Sequence, residues 1–288
     1  MFRGLYTALI TPFKNGKIDE PAFQSFVEWQ ISEGVHGLVP CGTTGETPTL
    51  TYEEHNRVVS LTVEVARGRV KVLAGTGSNA TEEAIQMTAH AKKAGADGVL
   101  VVAPYYNKPT QEGVYQHFKK IAETVDIPIV LYNIPPRSIV DIKDETIERL
   151  AKIPNIIGVK DATGDLARVS TLRARMGKNF LQISGEDMTA VAFNASGGMG
   201  CISVTSNIAP KLCVQVQDLC SKGDFIAARD AHDRLIALHE AMFLETSPGP
   251  VKYAASLLGK CQPDIRLPLV LPSEAVKARI REAVKGLG

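Results

Sequence analysis

Ile156-Ile157-Gly158-Val159-Lys160-Asp161-Ala162-Thr163-Gly164 places one lysine at the end of a run that otherwise favours burial. A short apolar run closed by an Asp/Thr/Gly turn reads as a parallel strand covered on both faces, where a charge is poorly solvated. Desolvation favours the neutral form of an amine, and a neutral amine attacks a ketone to give a Schiff base. The competing reading is a strand-end lysine whose stem packs while its head reaches water. The rest of the chain has to decide between them.

Working outward, apolar β-rich segments alternate with helical patterns roughly every twenty-five to thirty residues, the rhythm of a parallel sheet. The candidate strands are Gly4–Thr11, Gly37–Cys41, Val70–Gly75, Gly98–Ala103, Pro128–Asn133, Ile156–Lys160, Phe180–Ser184 and Gly200–Val204. Between them the 3.6-residue period predicts helices over Glu20–Glu33, Tyr52–Ala66, Thr81–Ala94, Gln111–Thr124, Lys143–Ala151, Leu166–Met176 and Met188–Ala195. Thr51 and Thr81, each followed by carboxylates, are expected to start their helices. Eight strands with intervening helices give an α/β fold, a (β/α)8 TIM barrel. Beyond Val204 the pattern is helical alone: Pro210–Ser221, Asp224–Glu245, Pro250–Leu258 and Ser273–Leu287. One of these supplies the eighth barrel helix. The expectation is a catalytic barrel over 1–223 with a C-terminal helical appendage over 224–288, too small to build a generous core by itself.

Composition excludes several classes. The 288 residues are 44% hydrophobic and 22% charged, with a formal net charge of +1, so nothing draws the chain to nucleic acid or an anionic membrane. No signal peptide and no membrane span is legible. The five cysteines are scattered, without a C-x-x-C pair, and fit a reducing cytoplasm. The six histidines form no metal-ligand pattern, which disfavours a metal-dependent aldolase; no metal or cofactor is expected.

In such barrels the chemistry sits at the C-terminal strand ends. Only Lys160 among the lysines ends a buried strand on that face; Lys71 lies near the start of the third strand, on the opposite face. Asp161 should point away from the lysine, because side chains alternate along a strand. Gly42-Thr43-Thr44-Gly45 offers hydroxyls and backbone N–H groups to a small carboxylate, or is a tight turn whose threonines cap the next helix. Arg137 follows Pro135-Pro136, read as a rigid extended pair that aims a carboxylate-binding fork, or else it is a surface arginine. Tyr132 ends the fifth strand, where a phenol relays protons or simply packs. Tyr105 and Tyr106 cannot both face one barrel. Glu186 and Asp187 at the seventh strand end repel a phosphate and point to an unphosphorylated substrate.

Taken together, Gly42–Glu46, Gly158–Gly164, Pro104–Asn107 and Tyr132–Ser138 resemble the dihydrodipicolinate synthases, within the pyruvate-dependent Schiff-base aldolases, and the likeness runs end to end. The resemblance implies that Lys160 condenses with pyruvate and that the enamine attacks L-aspartate 4-semialdehyde. It implies a proton relay of Thr43, Tyr132 and Tyr106, the last from a neighbouring subunit of a homotetramer. Thr44 would hold the pyruvate carboxylate, Arg137 that of the semialdehyde, and Gly185 and Ile202 would shape the pocket. Thr47, His55, Asn79, Glu83 and Tyr105 fall on the positions of an inhibitory lysine site, although Glu83 and His55 also read as ordinary helix residues. Pro48 and Tyr52 depart from the small residue and histidine typical of strongly inhibited relatives. Two other readings share the barrel: a sibling lyase for a 2-keto-3-deoxy sugar acid, which usually lacks the arginine, and a non-catalytic small-molecule sensor.

Overall fold

The computed structural model describes residues 2–287. In chain order, β1 (Gly4–Ala8) is followed by a two-stranded antiparallel hairpin, β2 (Phe13–Lys14) and β3 (Lys17–Ile18). The barrel continues with β4 (Gly37–Val39), β5 (Lys71–Gly75), β6 (Gly98–Val102), β7 (Ile129–Asn133), β8 (Ile156–Asp161), β9 (Leu181–Ser184) and β10 (Gly200–Ser203). These parallel strands close in the order β1-β10-β9-β8-β7-β6-β5-β4, with β1 pairing β4 to complete the ring. It is a TIM barrel, as the strand count predicts. β1, β4, β6 and β10 stop one to three residues earlier than expected, where the chain turns, as at Cys41 with its φ of 55°, while β8 runs one residue further, to Asp161.

The helices are α1 (Glu20–Ser32), α2 (Tyr52–Ala66), α3 (Thr81–Ala94), α4 (Gln111–Thr124), α5 (Pro135–Ser138), α6 (Asp144–Leu150), α7 (Ala167–Met176) and α8 (Ala190–Ala195). After the barrel come α9 (Pro210–Ser221), α10 (Phe225–Asp233), α11 (Ile236–Ala241), α12 (Gly249–Leu257) and α13 (Glu274–Lys285). Helix α9 follows the last strand and packs against β1, which makes it the eighth barrel helix. None of the helices among the described residues is long and apolar enough to cross a membrane.

Local chemistry explains most boundaries. Thr51 caps α2 in a full capping box: its hydroxyl accepts from Glu54 N at 3.2 Å, while the Glu54 carboxylate accepts from Thr51 N at 3.0 Å. Thr81 does not cap α3. Ala80 occupies that position, and the Thr81 hydroxyl instead meets His117 Nδ1 at 3.0 Å. The single helix expected over Asp224–Glu245 is broken: the ladder tightens where Leu235 N donates to His232 O at 2.8 Å, and Leu235 turns into the core. Asp224 does start it, accepting from Ala227 N at 3.0 Å.

The strands are buried on both faces, and their side chains alternate with a period of two between the barrel interior and the helical layer. Val130 and Tyr132 join Leu181, Ile183 and Ile202 inside the barrel, whereas Ile129, Leu131 and Val159 face the helical layer. Gly158 has to be glycine on this inner surface, since a Cβ there would lie 2.4 Å from both the Cβ and the carbonyl oxygen of Leu181. The interior is therefore packed, and space opens at the strand ends.

Candidate active site

The registers of β8 decide which side chains meet. Lys160 pairs with Tyr132 on one side and with Ile183 on the other. The amine, on a side chain only 6% exposed, lies 4.1 Å from the centroid of the Tyr132 ring. Among the described residues it forms no ion pair. Lys160 thus does not reach out to water, and the bland reading of the strand-end lysine fails.

Asp161 turns the other way, as strand alternation requires. Its carboxylate accepts from Thr163 N at 2.8 Å and from the Thr163 hydroxyl at 2.6 Å, with Arg168 Nε 3.9 Å away. Burial raises its pKa, and the Thr163 hydrogen bonds and the Arg168 charge pull it back. Arg168 also pairs with Asp141 and Asp144, each at 2.8 Å, and Asp141 accepts from the buried Asn133 side chain at 2.8 Å. The outer ends of β7 and β8 are locked together in this way. The two carboxylates after β9 separate as well. Asp187 is buried and accepts from Val204 N at 2.8 Å and Thr205 N at 3.1 Å, so it holds the end of β10 rather than guarding the mouth. Glu186 stays near the amine; burial raises its pKa, Asp187 adds to the rise, and the Lys160 charge opposes it.

A cavity of about 220 Å³ opens at this end of the barrel, with Thr43, Tyr132, Arg137, Tyr105 and Thr47 in its wall. Thr43 and the buried Thr44 lie on a 3₁₀ turn, Thr43–Gly45, whose Gly45 carbonyl accepts the Thr11 hydroxyl at 2.8 Å. They do not cap α2, since Thr51 does. Arg137 arrives differently from the extended Pro135-Pro136 pair expected. The prolines form the first turn of α5, where their fixed φ suits a helix start and their missing N–H groups cost nothing. The Arg137 guanidinium donates from Nη2 to the Ser247 carbonyl at 3.2 Å, a contact from the far end of the chain that no local motif announces.

Gly185 and Ile202 do not line this cavity: Gly185 lies beside the Lys160 stem and Ile202 in the inner apolar cluster. A Cβ on Gly185 would come within 3.1 Å of Lys160 Cε, and Ile202 lies in the inner cluster beside Tyr132. Tyr105 and Tyr106 diverge: Tyr105 lines the cavity, while Tyr106 is 89% exposed at a φ of 71°. Near the cavity, Glu83 accepts the Ser78 hydroxyl at 2.6 Å and, with Tyr105, raises the pKa of the Tyr52 phenol, where burial is the largest cause. His55 is buried with Nε2 2.8 Å from the Gly75 carbonyl. The Asn79 carbonyl accepts from Asn107 Nδ2 at 2.8 Å.

A larger cavity, about 570 Å³, lies at the N-terminal end of the strands and includes Lys71. That lysine is tied to Asp97 at 2.5 Å, so the volume offers no unpaired amine. Chemistry, not size, selects the smaller site: Lys160 is not itself in its wall, but the Tyr132 ring that lines it is the one against which the Lys160 amine lies. Fold and site define an α/β barrel organised around a buried, unpaired lysine amine, with hydroxyls, a phenol and a guanidinium at neighbouring strand ends.

The comparisons agree with that class. A model of the dihydrodipicolinate synthetase family matches residues 1–287, and the chain belongs to that family. It is 62% identical over 288 residues to the 4-hydroxy-tetrahydrodipicolinate synthase of Rhodospirillum centenum, covering 100% of this chain and 99% of the relative. Among solved structures, the chloride-inhibited dihydrodipicolinate synthase of Acinetobacter baumannii complexed with pyruvate matches at 44% identity with a TM-score of 0.97, over 99% of both chains. The Cyanidioschyzon merolae enzyme with lysine bound matches at 35% identity with a TM-score of 0.95, over 99% of this chain and 98% of that one.

A methyl group at Gly185 would lie 2.8 Å from Ala162 Cβ and 3.1 Å from Lys160 Cε, the carbon that carries the amine. Gly185→Ala is expected to slow hydride-trapped modification of Lys160 by a small carbonyl compound about tenfold or more, as displacement of a reacting group does. Intact-protein mass measured against time checks it.

Proposed function

We propose that the protein condenses pyruvate with L-aspartate 4-semialdehyde to 4-hydroxy-tetrahydrodipicolinate, the committed step toward diaminopimelate and lysine. The observation that carries this reading is the buried amine of Lys160 against the Tyr132 ring, without an ion-pair partner, in a chain of this family. The amine adds to C2 of pyruvate and water leaves, giving an iminium ion. Loss of a C3 proton gives the enamine, and its C3 attacks the aldehyde carbon to form the new C–C bond. The amino group of the semialdehyde then adds to the iminium carbon, closes the ring and expels the Lys160 amine. Atoms balance, with one water released on imine formation and the lysine regenerated.

In this reading Thr43 and Tyr132 pass the protons, joined by Tyr106 from a neighbouring subunit. The exposure of Tyr106 suits a residue that serves across an interface, and the assembly is a homotetramer built as a dimer of dimers. Thr44 receives the pyruvate carboxylate, Gly185 and Ile202 leave and shape its space, and Arg137 receives the semialdehyde carboxylate. The barrel over 1–223 carries the catalytic groups, with the helical region over 224–288 packed on it. The enzyme works in the cytoplasm and needs no metal or organic cofactor, since the iminium formed on the lysine is the electron sink.

Thr47, His55, Asn79, Glu83 and Tyr105 form an inhibitory site for lysine beside the same mouth. The Glu83 carboxylate suits the effector's ammonium. Support comes from Thr47 and Tyr105 lining the cavity and from the lysine-bound relative.

Arg137→Ala is expected to lower kcat/KM for the semialdehyde about ten- to hundredfold, the worth of a hydrogen bond to a charged group, while pyruvate imine formation stays near wild type. Steady-state turnover and hydride trapping, measured in parallel, separate the two steps; equal loss in both contradicts the role. For regulation, titration calorimetry with lysine is expected to give a binding heat in wild type and about tenfold weaker binding or worse in Glu83→Ala. Equal affinity in the two proteins removes Glu83 from the site.

A further inference from the structure

A second lysine is buried more deeply than Lys160. Lys252 sits in α12, a helix whose other buried positions include Val251, Ala254 and Ala255. Its side chain and that of Glu46 are both 0% exposed, and Lys252 Nζ donates to Glu46 Oε1 at 2.5 Å across a separation of 206 residues. The second carboxylate oxygen of Glu46 accepts the backbone N–H of Arg266 at 3.1 Å. The Phe13 ring lies 4.0 Å from the ammonium. Burying such a pair costs desolvation that its attraction barely offsets, so stability alone explains it poorly.

What the pair holds is more telling. Glu46 joins two 3₁₀ turns, Thr43–Gly45 and Thr47–Thr49, in a left-handed conformation at φ 58° and ψ 33°. Its N–H donates to the Thr43 carbonyl at 3.1 Å, and its own carbonyl accepts from Thr49 N at 2.9 Å and from the Thr49 hydroxyl at 3.0 Å. Arg266 extends the tether. Its guanidinium donates to the Thr49 carbonyl at 2.8 Å and to both oxygens of Glu54 at 2.6 Å, and Glu54 also closes the capping box of α2. The whole stretch from Thr43 to the start of α2 is thereby fastened to the C-terminal segment.

We propose that Lys252 and Arg266 are positioning residues for the condensation: they anchor Glu46 and so set where the Thr43 and Thr44 hydroxyls stand relative to Lys160. This rests on the condensation reading above and adds the C-terminal helical segment to its machinery. A mere folding staple would change melting behaviour and leave the kinetics of the folded enzyme alone.

Lys252→Met by itself leaves the Glu46 carboxylate buried without its partner and endangers folding. The double variant Glu46→Gln/Lys252→Met removes both charges, while the new amide still accepts from Arg266 N. Glu46→Gln alone keeps an acceptor for both donors. Burial lowers the Lys252 pKa and the Glu46 charge pulls it back up, so the lone amide substitution lets the amine shed its proton instead of standing as an unpaired ion. Arg266→Ala, at a partly exposed position, tests the outer tether.

The experiment is steady-state turnover of pyruvate and the semialdehyde by each full-length variant, with circular-dichroism melting to confirm folding at the assay temperature. The double variant is expected to lose about 10- to 100-fold in kcat, the scale of a misplacement near 1 Å, and Arg266→Ala about 3- to 10-fold; Glu46→Gln stays within about 3-fold of wild type. Wild-type kinetics in Arg266→Ala or in the double variant overturns the proposal. So does a loss in Glu46→Gln as large as in the double variant. Wild-type enzyme that does not turn over the two substrates overturns the condensation reading beneath it, so the two failures are told apart.

Discussion

A lysine amine buried at the C-terminal end of β8 with no carboxylate paired to it constrains everything around it. Had Asp161 shared the barrel interior, the amine would have a carboxylate partner. Strand alternation sends Asp161 outward, where Thr163 and Arg168 hold it. The register of β7 against β8 then sets an aromatic ring, not a charge, beside the amine. Gly158 lets the neighbouring strand close below it, and Gly185 leaves room beside its last carbons. The same geometry leaves little room for added atoms beside the lysine's stem.

Much of this was legible in the chain because it rests on local periodicity. Eight apolar segments at regular spacing define the closed parallel barrel, and Lys160 stands out as a charge at the end of one of them. The capping box at Thr51 is equally local. Other features depend on partners distant in sequence. Pro135-Pro136 reads as extended until its position at the start of α5 is seen, and the Ser247 carbonyl that steadies Arg137 lies 110 residues away. Thr81 looks like a cap, yet His117 from the next helix claims its hydroxyl.

Lys252 teaches the same lesson more sharply. It too is a charge inside an apolar segment, here a helix, and Glu46 closes the Gly42–Glu46 motif in plain view. Nothing in either stretch says that they meet. The helical region read as an appendage touches the barrel at the Thr43–Glu46 turn and at Arg137, so it packs on the functional face rather than beside it. In physical terms, one buried amine has no ion-pair partner among the described residues and the other is paired with a buried carboxylate. The first sits against an aromatic ring, and the second is bonded to the residue that joins two 3₁₀ turns.

The central claim is that the amine of Lys160 is the nucleophile. Incubation with pyruvate, reduction with borohydride and tandem mass analysis of the digested protein test it directly. The account predicts a reduced pyruvate adduct on the peptide containing Lys160 and none on Lys252. An adduct on another lysine, or none on the Lys160 peptide, would contradict it.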